Sequence, residues 1–354
     1  MHNLSGMDKY KGTKTMDKEI VANFENLYRS YKKVKSGKKF NSGTARFSNL
    51  SLEGIHLLKE QLESQTYTIN PYNNFQIHEP KERTIESCAF KDKVVQRCFS
   101  DYILTPKLEK ILIKWNTAGQ QGKGQHMAMD GLKEQMIGFY KRNGINGWIV
   151  KCDIHKYFYS IDHEIMKDIL DYYFDDNFTI WLNHLFIDST GNPGLPLGNQ
   201  VNLKYALLLL HSLDQMITIE FGNSDYGRYN DDFYVLCKTK EEAQELLEAI
   251  RFMVKSLGLK LNPKSQIVPF RMGLCYLGFH HYVTDEGKYI RKLRGDRKRN
   301  TQKKVRRWVR AVNEGKMPVE NFNEKYRACR NHMLHGNCIK LCHSMDLEIE
   351  RRMR

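Results

Sequence analysis

Long apolar runs are missing from this 354-residue chain. The longest is Ala206–Leu210 with Tyr205 before it, far short of the roughly 20 residues that cross a bilayer, so no membrane-spanning helix is expected. The opening residues, MHNLSGMDKYKGTKTMDKE, lack the apolar core of a secretory leader, and the protein is expected to stay inside the cell, in the cytoplasm. Proline is scarce at eight residues, and neither a low-complexity tract nor an internal repeat is present, which argues against a flexible linker between independent domains. Paired cysteine spacing is absent as well. Cys88, Cys98, Cys152, Cys237 and Cys275 are scattered through apolar segments, as buried small hydrophobes in a reducing compartment would be. Negative charge is also short. With 41 Asp and Glu against 56 Lys and Arg, the formal charge is +15, and a polyanion is the partner to expect. The length itself allows a sizeable buried core.

Periodicity and turn signals divide the chain. Residues 24–39 read as a basic amphipathic helix with Phe24, Leu27, Tyr28 and Tyr31 on its apolar side, and Leu52, Ile55, Leu58 and Leu62 recur at helical spacing. Residues 76–87, with Pro80 and alternating character, suit a hairpin carrying Lys81 and Arg83 at its tip. Helical spacing returns from Lys91 to Ile103. GWIVKCDI at 147–154 is a short β-rich run that places Asp153 at a strand end, and Asp162 stands where it would cap the next helix. In YGRYNDDFYVLC, β-rich stretches flank the turn formers Asn230 and Asp231, which predicts a hairpin with Asp231 and Asp232 on its tip. Ala243, Leu246, Leu247, Ile250, Val254 and Leu257 predict a helix over 240–257 that Gly258 stops. Strand, helix, hairpin and helix in that order describe an α+β unit around an antiparallel sheet.

Two C-terminal features are chemically suggestive. From Lys288 to Arg310 twelve Lys or Arg stand against one acid, mostly within a predicted helix whose buried side is Val305, Trp308 and Val309. Such a stretch is either a solvated face or a track for nucleic-acid phosphates, and its one-sided excess favours the latter, with Arg297, Lys298, Lys303 and Arg307 as candidate contacts. Cys329, His332, His335 and Cys338, spaced by three, would line one helical flank able to ligate zinc. One continuous helix is not a usual structural zinc arrangement, and buried small residues are the plainer reading of the cysteines.

Adjacent carboxylates on a hairpin tip repel unless a cation neutralises them. Were the strand ending at Asp153 beside that hairpin, Asp153, Asp231 and Asp232 would form a hard-oxygen site suited to magnesium. An Asp-Asp turn read alone is ordinarily just solvated. Here the surrounding pattern resembles the reverse transcriptases. Tyr229-Asn230-Asp231-Asp232, with Arg228 before it, resembles the family's Tyr-x-Asp-Asp signature, and KCDIHKYFYSIDH at 151–163 its Asp-x4-aromatic motif. Gly194-Leu195-Pro196-Leu197-Gly198-Asn199 resembles the segment under the incoming nucleotide, GLKLNPKS at 258–265 the lysine-bearing motif, and Tyr276-Leu277-Gly278-Phe279 the primer-grip hairpin. PKERTIESCAFKDKVVQRC at 80–98 is similar to the fingers, and QGKGQHMAMDGL at 121–132 to another bacterial block. The motifs run in family order over nearly the whole chain.

The resemblance implies a right-hand polymerase fold: N-terminal helices and fingers over 1–145, an antiparallel-sheet palm over 146–280 and a helical, basic thumb over 281–354. It implies an RNA-directed DNA polymerase that copies a dedicated structured non-coding RNA into cDNA from dNTPs, error-prone copying included, with an RNA/DNA hybrid as a further ligand. Two Mg2+ ions are implied as cofactor, with Mn2+ able to replace them. Asp153 and Asp231 would be the main ligands, Asp232 the third carboxylate and Ile154 a backbone ligand. Phe158 would be the steric gate against a ribose 2′-hydroxyl, Lys81 and Arg83 the triphosphate clamp, Leu197 and Gly198 part of the nucleotide pocket, and Lys264 an acid for pyrophosphate. The plainer readings are a core aromatic for Phe158, exposed hairpin charges for Lys81 and Arg83, and a surface lysine for Lys264. The nearest likeness is to diversity-generating retroelement enzymes and related defence-associated reverse transcriptases, with residues 22–46 and LHGNCIKL at 334–341 pointing that way. NQVNL after Gly198 departs from the first group, placing Asn202 and Leu203 where Ser-Gln is usual. An accessory protein or a second copy of the chain is a further partner to consider. The chain ends soon after the thumb-like segment, and no maturase, endonuclease or RNase H domain is expected. Other readings are an antiphage enzyme with untemplated or repetitive synthesis, an RNA-directed RNA polymerase, and a binding scaffold without catalysis; Phe158 argues against the RNA polymerase, and the intact carboxylates against the scaffold.

Overall fold

Alternating β-branched and aromatic residues set the strands, and antiparallel pairing joins them throughout. The computed structural model describes residues 16–36, 42–77 and 82–353, apart from the side chains of Ser42 and Arg83. Strands β1 (Asn73–Ile77) and β2 (Arg83–Ser87) form a ribbon in which Ile77 faces Arg83. Strands β3 (Trp148–Cys152), β4 (Tyr226–Tyr229), β5 (Asp232–Cys237) and β6 (Gln266–Pro269) form one sheet in the order β4-β5-β3-β6. Strands β7 (Leu274–Tyr276), β8 (Phe279–Val283) and β9 (Tyr289–Leu293) make a three-stranded meander. The α+β class is therefore as expected.

The chain divides into two compact units, each assembled from separate stretches. One contains the described residues up to Gln121 with Ile154–Met216 and Ile250–Pro263. Its helix Phe24–Lys35 buries Leu27 and Tyr31 and leaves Phe24 and Tyr28 half-buried, ending earlier than the expected 39, with residues 37–41 outside the described residues. Helix Ser51–Glu63 buries Ile55, Leu58 and Leu62, whereas Leu52 is 60% exposed. Leu52 stands in the first turn of this helix. Asp162 caps helix His163–Tyr173 as expected, its carboxylate accepting from the N–H groups of Glu164 and Ile165.

The other unit holds Gly122–Asp153, Ile217–Ala249 and the residues from Lys264 onward. Helix Gln125–Asn143 covers the four-stranded sheet, burying Leu132, Met136 and Phe139 against Ile149, Tyr234, Leu236, Phe270 and Tyr276. A second core joins Val305, Val309, Phe322, Met333, Cys338, Cys342 and Met345 beneath Phe279 and Leu293. The basic stretch lies mostly within a helix, Gly295–Asn313, as expected, although its first part, Tyr289–Leu293, is a strand that pairs with β8. Trp308 is half-buried beside the buried Val305 and Val309. The continuous Cys/His flank is also corrected. Helix Val319–Leu334 ends before His335, and Cys338 precedes a new helix, Ile339–Arg352. The turn at Gly336 and Asn337 breaks the spacing, and the His335 ring packs instead on His126, with centroids 3.7 Å apart. No described helix is long and apolar enough to cross a membrane.

Candidate active site

Strand pairing assembles the carboxylates. Between β3 and β5, Lys151 faces Tyr234 and Cys152 faces Phe233. Asp153 follows directly after the last paired residue of β3, and Asp232 directly precedes Phe233 on β5, so extending the register by one step sets the two carboxylates opposite each other. The β4–β5 hairpin closes through Asn230 and Asp231, with Tyr229 paired to Asp232, so Asp232 opens the strand and Asp231 occupies the turn. Asn230 takes φ +56°, a left-handed conformation that asparagine tolerates better than most residues. Beneath the turn, Arg228 is fully buried and its Nη1–H donates to the Asn230 carbonyl at 3.0 Å. Gly227 is required there, since a Cβ would come within 2.5 Å of the Tyr234 hydroxyl.

Asp153 and Asp231 lie close enough to interact directly. Burial first, and the Asp153 carboxylate second, push the Asp231 carboxyl above its ordinary range. The Asp153 N–H donates to Ser265 Oγ at 3.3 Å, which ties the strand end to the start of the β6 segment. Asp232 turns to Lys151 and forms an ion pair with it. The Lys151 ammonium also sits 5.1 Å from the Tyr276 ring centre. Burial pulls this ammonium down to about 8, opposed by Cys152, Asp153 and Asp231.

The donors fit a hard divalent cation: two adjacent carboxylates, one raised by the other, with a third on the neighbouring strand position. Among the described residues no group of three His, Cys, Asp or Glu side chains is placed to hold a metal ion, and Asp232 is engaged by Lys151. Asp153 and Asp231 are accordingly the pair brought together.

The remaining predicted residues fall elsewhere. In the first unit, Ile154 bridges to Leu261. Phe158 lies in the short turn Tyr157–Ser160 and is half-buried. Its neighbour Tyr157, not Phe158, is the buried aromatic, donating its hydroxyl to the Ala206 carbonyl. The Phe158 carbonyl accepts from the Leu195 N–H at 2.8 Å, which laces this turn to the Leu-Pro-Leu-Gly element. Leu197 is half-buried there, and the exposed Gly198 has φ +102°. Lys81 lies outside the described residues; Arg83 opens β2. In the second unit, Lys264 is exposed just before β6. Arg297, Lys298, Lys303 and Arg307 are exposed on helix Gly295–Asn313. Others of the basic stretch are engaged: Arg291 with Asp130, Arg294 with Asp296, and Arg306 with Glu348.

Two residues gain a structural role that the sequence did not assign them. Asn202 is fully buried and its Nδ2 donates to the Pro196 carbonyl at 3.0 Å, so the departure from serine gives the Leu-Pro-Leu-Gly loop an anchor. Lys151 was legible in principle, since strand alternation puts it on the same face as Asp153.

Comparisons with known proteins agree with this architecture. No curated protein matches the sequence. Among solved structures, telomerase from Candida albicans in complex with a TWJ fragment of telomeric RNA is similar at 11% identity with a TM-score of 0.51, over 81% of this chain and 56% of that one. Apo telomerase from Candida tropicalis is similar at 12% identity and a TM-score of 0.47, over 62% and 47%. The chain thus spans about half the length of these telomerase chains, and the likeness to the Candida albicans structure is one of fold. At the level of sequence, residues 76–281 match the reverse transcriptase (RNA-dependent DNA polymerase) family, and since that is more than half of its length, the chain belongs to this family.

Proposed function

We propose that the protein is the RNA-directed DNA polymerase of a bacterial retroelement, acting inside the cell and copying a dedicated structured RNA into cDNA from dNTPs. The observation that carries this is the Asp153–Asp231 pair, two interacting carboxylates held by neighbouring strands with Asp232 one register step away. Asp153 and Asp231, with the Ile154 carbonyl, would hold two Mg2+ ions, or Mn2+ in their place. When bound, such ions activate a primer 3′-hydroxyl and stabilise the leaving pyrophosphate.

The chain's own groups do the rest. Arg228 fixes the turn that presents Asp231. Phe158 offers a ring and no hydrogen-bonding group to a ribose 2′-hydroxyl, which selects deoxynucleotides. Lys81 and Arg83 would grip the triphosphate, their donors suiting phosphate oxygens. Lys264 would deliver a proton to pyrophosphate. Leu197 and Gly198 would pack beneath the nascent pair, and the exposed basic helix would follow the phosphates of the hybrid.

Asp231→Asn tests this reading, because it removes one ligand charge with almost no change in volume. Primer extension on an RNA template with Mg2+ should fall below detection while RNA binding by filter retention stays near wild type. Extension at the wild-type rate would overturn the assignment.

A further inference from the structure

The inward face of β3 carries a residue that an apolar core does not call for. Ile149 and Lys151 alternate onto the same face, opposite Leu236 and Tyr234, and this face packs on the buried Phe270 and Tyr276. A lysine placed here loses most of its hydration: its side chain is only 14% exposed. Such a position is unfavourable unless the ammonium finds strong partners. It finds the Asp232 carboxylate, the carbonyls of Phe233 and Cys152 at 3.4 and 3.5 Å, and the face of the Tyr276 ring.

The pairing register explains why a cation is useful there. Asp153 follows Cys152 and Asp232 precedes Phe233, so the last pair, Cys152–Phe233, is flanked by a carboxylate on each strand, and the register extended by one step sets the two opposite each other. Like charges in directly opposed positions destabilise a sheet. Asp231, next in the turn, adds a third. Lys151 lies two residues before Asp153 on the same face, diagonal to Asp232, which is the reach a long side chain needs to bridge this gap.

We propose that Lys151 is a resident counter-cation: it holds Asp232 when the site is empty of metal, and surrenders it when a divalent cation binds. It is a positioning residue, acting on the reaction through Asp232. The inference rests on the reading of Asp153 and Asp231 as metal ligands. It has a definite sign. Because the ammonium repels an arriving cation and occupies one of its carboxylates, Lys151 weakens divalent affinity while stabilising the empty protein. A residue that merely pre-shaped the site for metal would strengthen affinity instead.

The test uses the full chain without nucleic acid or dNTP. Mn2+ binding is followed by the electron paramagnetic resonance of the free ion, and thermal unfolding is measured in EDTA and in saturating Mn2+. Lys151→Met keeps an unbranched chain of similar reach without the charge. It should bind Mn2+ about tenfold more tightly than wild type, the order of effect expected for removing one nearby unit charge. It should unfold several degrees lower in EDTA and regain most of that loss in Mn2+. Lys151→Arg, which keeps the charge, should remain close to wild type in EDTA. Unchanged or weaker Mn2+ affinity in Lys151→Met, or an equal loss of stability with and without Mn2+, would overturn the proposal. Primer extension by the wild type separates the two levels. If the wild type extends and Lys151→Met shows no affinity gain, only the role of Lys151 falls. If the wild type neither binds Mn2+ nor extends, the metal reading falls and takes this proposal with it.

Discussion

Acid should weaken the second unit through one buried imidazole. His281, on β8, has no exposed surface. Its Nε2 lies 3.1 Å from the Tyr276 carbonyl and its Nδ1 2.6 Å from the Tyr289 hydroxyl. A neutral ring with the proton on Nε2 satisfies both, donating to the carbonyl and accepting from the hydroxyl. Burial, with smaller contributions from Arg291, His280 and Lys151, pulls this group down from 6.5 to about 3, against the raising effect of the Tyr276 carbonyl. The folded value is depressed, so between pH 3 and 6.5 the unfolded chain binds a proton that the folded chain does not. The contribution is therefore present above pH 6.5 and lost as the pH falls. One proton corresponds to about 1.4 kcal/mol per pH unit, which makes the loss between pH 7 and 5 about 2 kcal/mol. Asp231 shifts the other way and gains stability on acidification, so the wild-type profile alone mixes the two. The informative quantity is the difference between wild type and His281→Gln in urea unfolding at pH 7, 6 and 5. This difference should move by about 2 kcal/mol in favour of the variant as the pH falls. Parallel pH profiles would refute the reasoning, because an imidazole whose loss leaves the slope unchanged is not the titrating group. Since the Tyr276 ring lies against Lys151, loosening of this strand should also reduce primer extension near pH 5 more in wild type than in the variant.

The other residues make separable predictions. Phe158→Ala should admit ribonucleotides, because the exclusion is steric; incorporation assays in which the variant rejects them as well as wild type would assign the gate to another side chain. Replacing Arg297, Lys298, Lys303 and Arg307 with glutamine should weaken hybrid binding and flatten its log–log salt dependence, by about 0.9 per lost phosphate contact on duplex DNA and somewhat less on single strands. An unchanged slope would return the helix to a solvated surface. Leu197→Gln should lower the error frequency several-fold on a defined RNA template, since an amide supplies a directional partner worth roughly 1 kcal/mol that leucine lacks. Identical error spectra in sequenced cDNA would make Leu197 a packing residue only.

Near-neighbour sterics and hydrogen bonding wrote much of the architecture directly into the residues. Asn230 and Asp231 between β-rich stretches specify their hairpin because the turn is closed by residues in immediate succession. Asp162 caps a helix for the same reason, and Gly258 ends another through its φ of +72°. The order of the motifs, and with it the family, also belongs to the linear chain. Tertiary structure decided what those elements meet. β3 and β5 are far apart in sequence, and only their pairing brings the strand end at Asp153 to the hairpin of Asp231 and Asp232 and puts Asp231 beside Asp153. Leu52 shares the helical spacing of Ile55, Leu58 and Leu62, yet those three are buried and it is 60% exposed. Spacing put four zinc-capable side chains on one helix, but the chain turns at Gly336 and Asn337 and carries Cys338 into an apolar core. A run of positive charge read as one face divides between a strand and a helix, and two of its members, Arg291 and Arg306, pair with acids remote in sequence. Lys151 shows the limit most clearly. Its presence and the face it occupies follow from alternation alone. Its partner does not, because a buried charge is defined by what surrounds it, and that is set by packing between segments the sequence keeps apart.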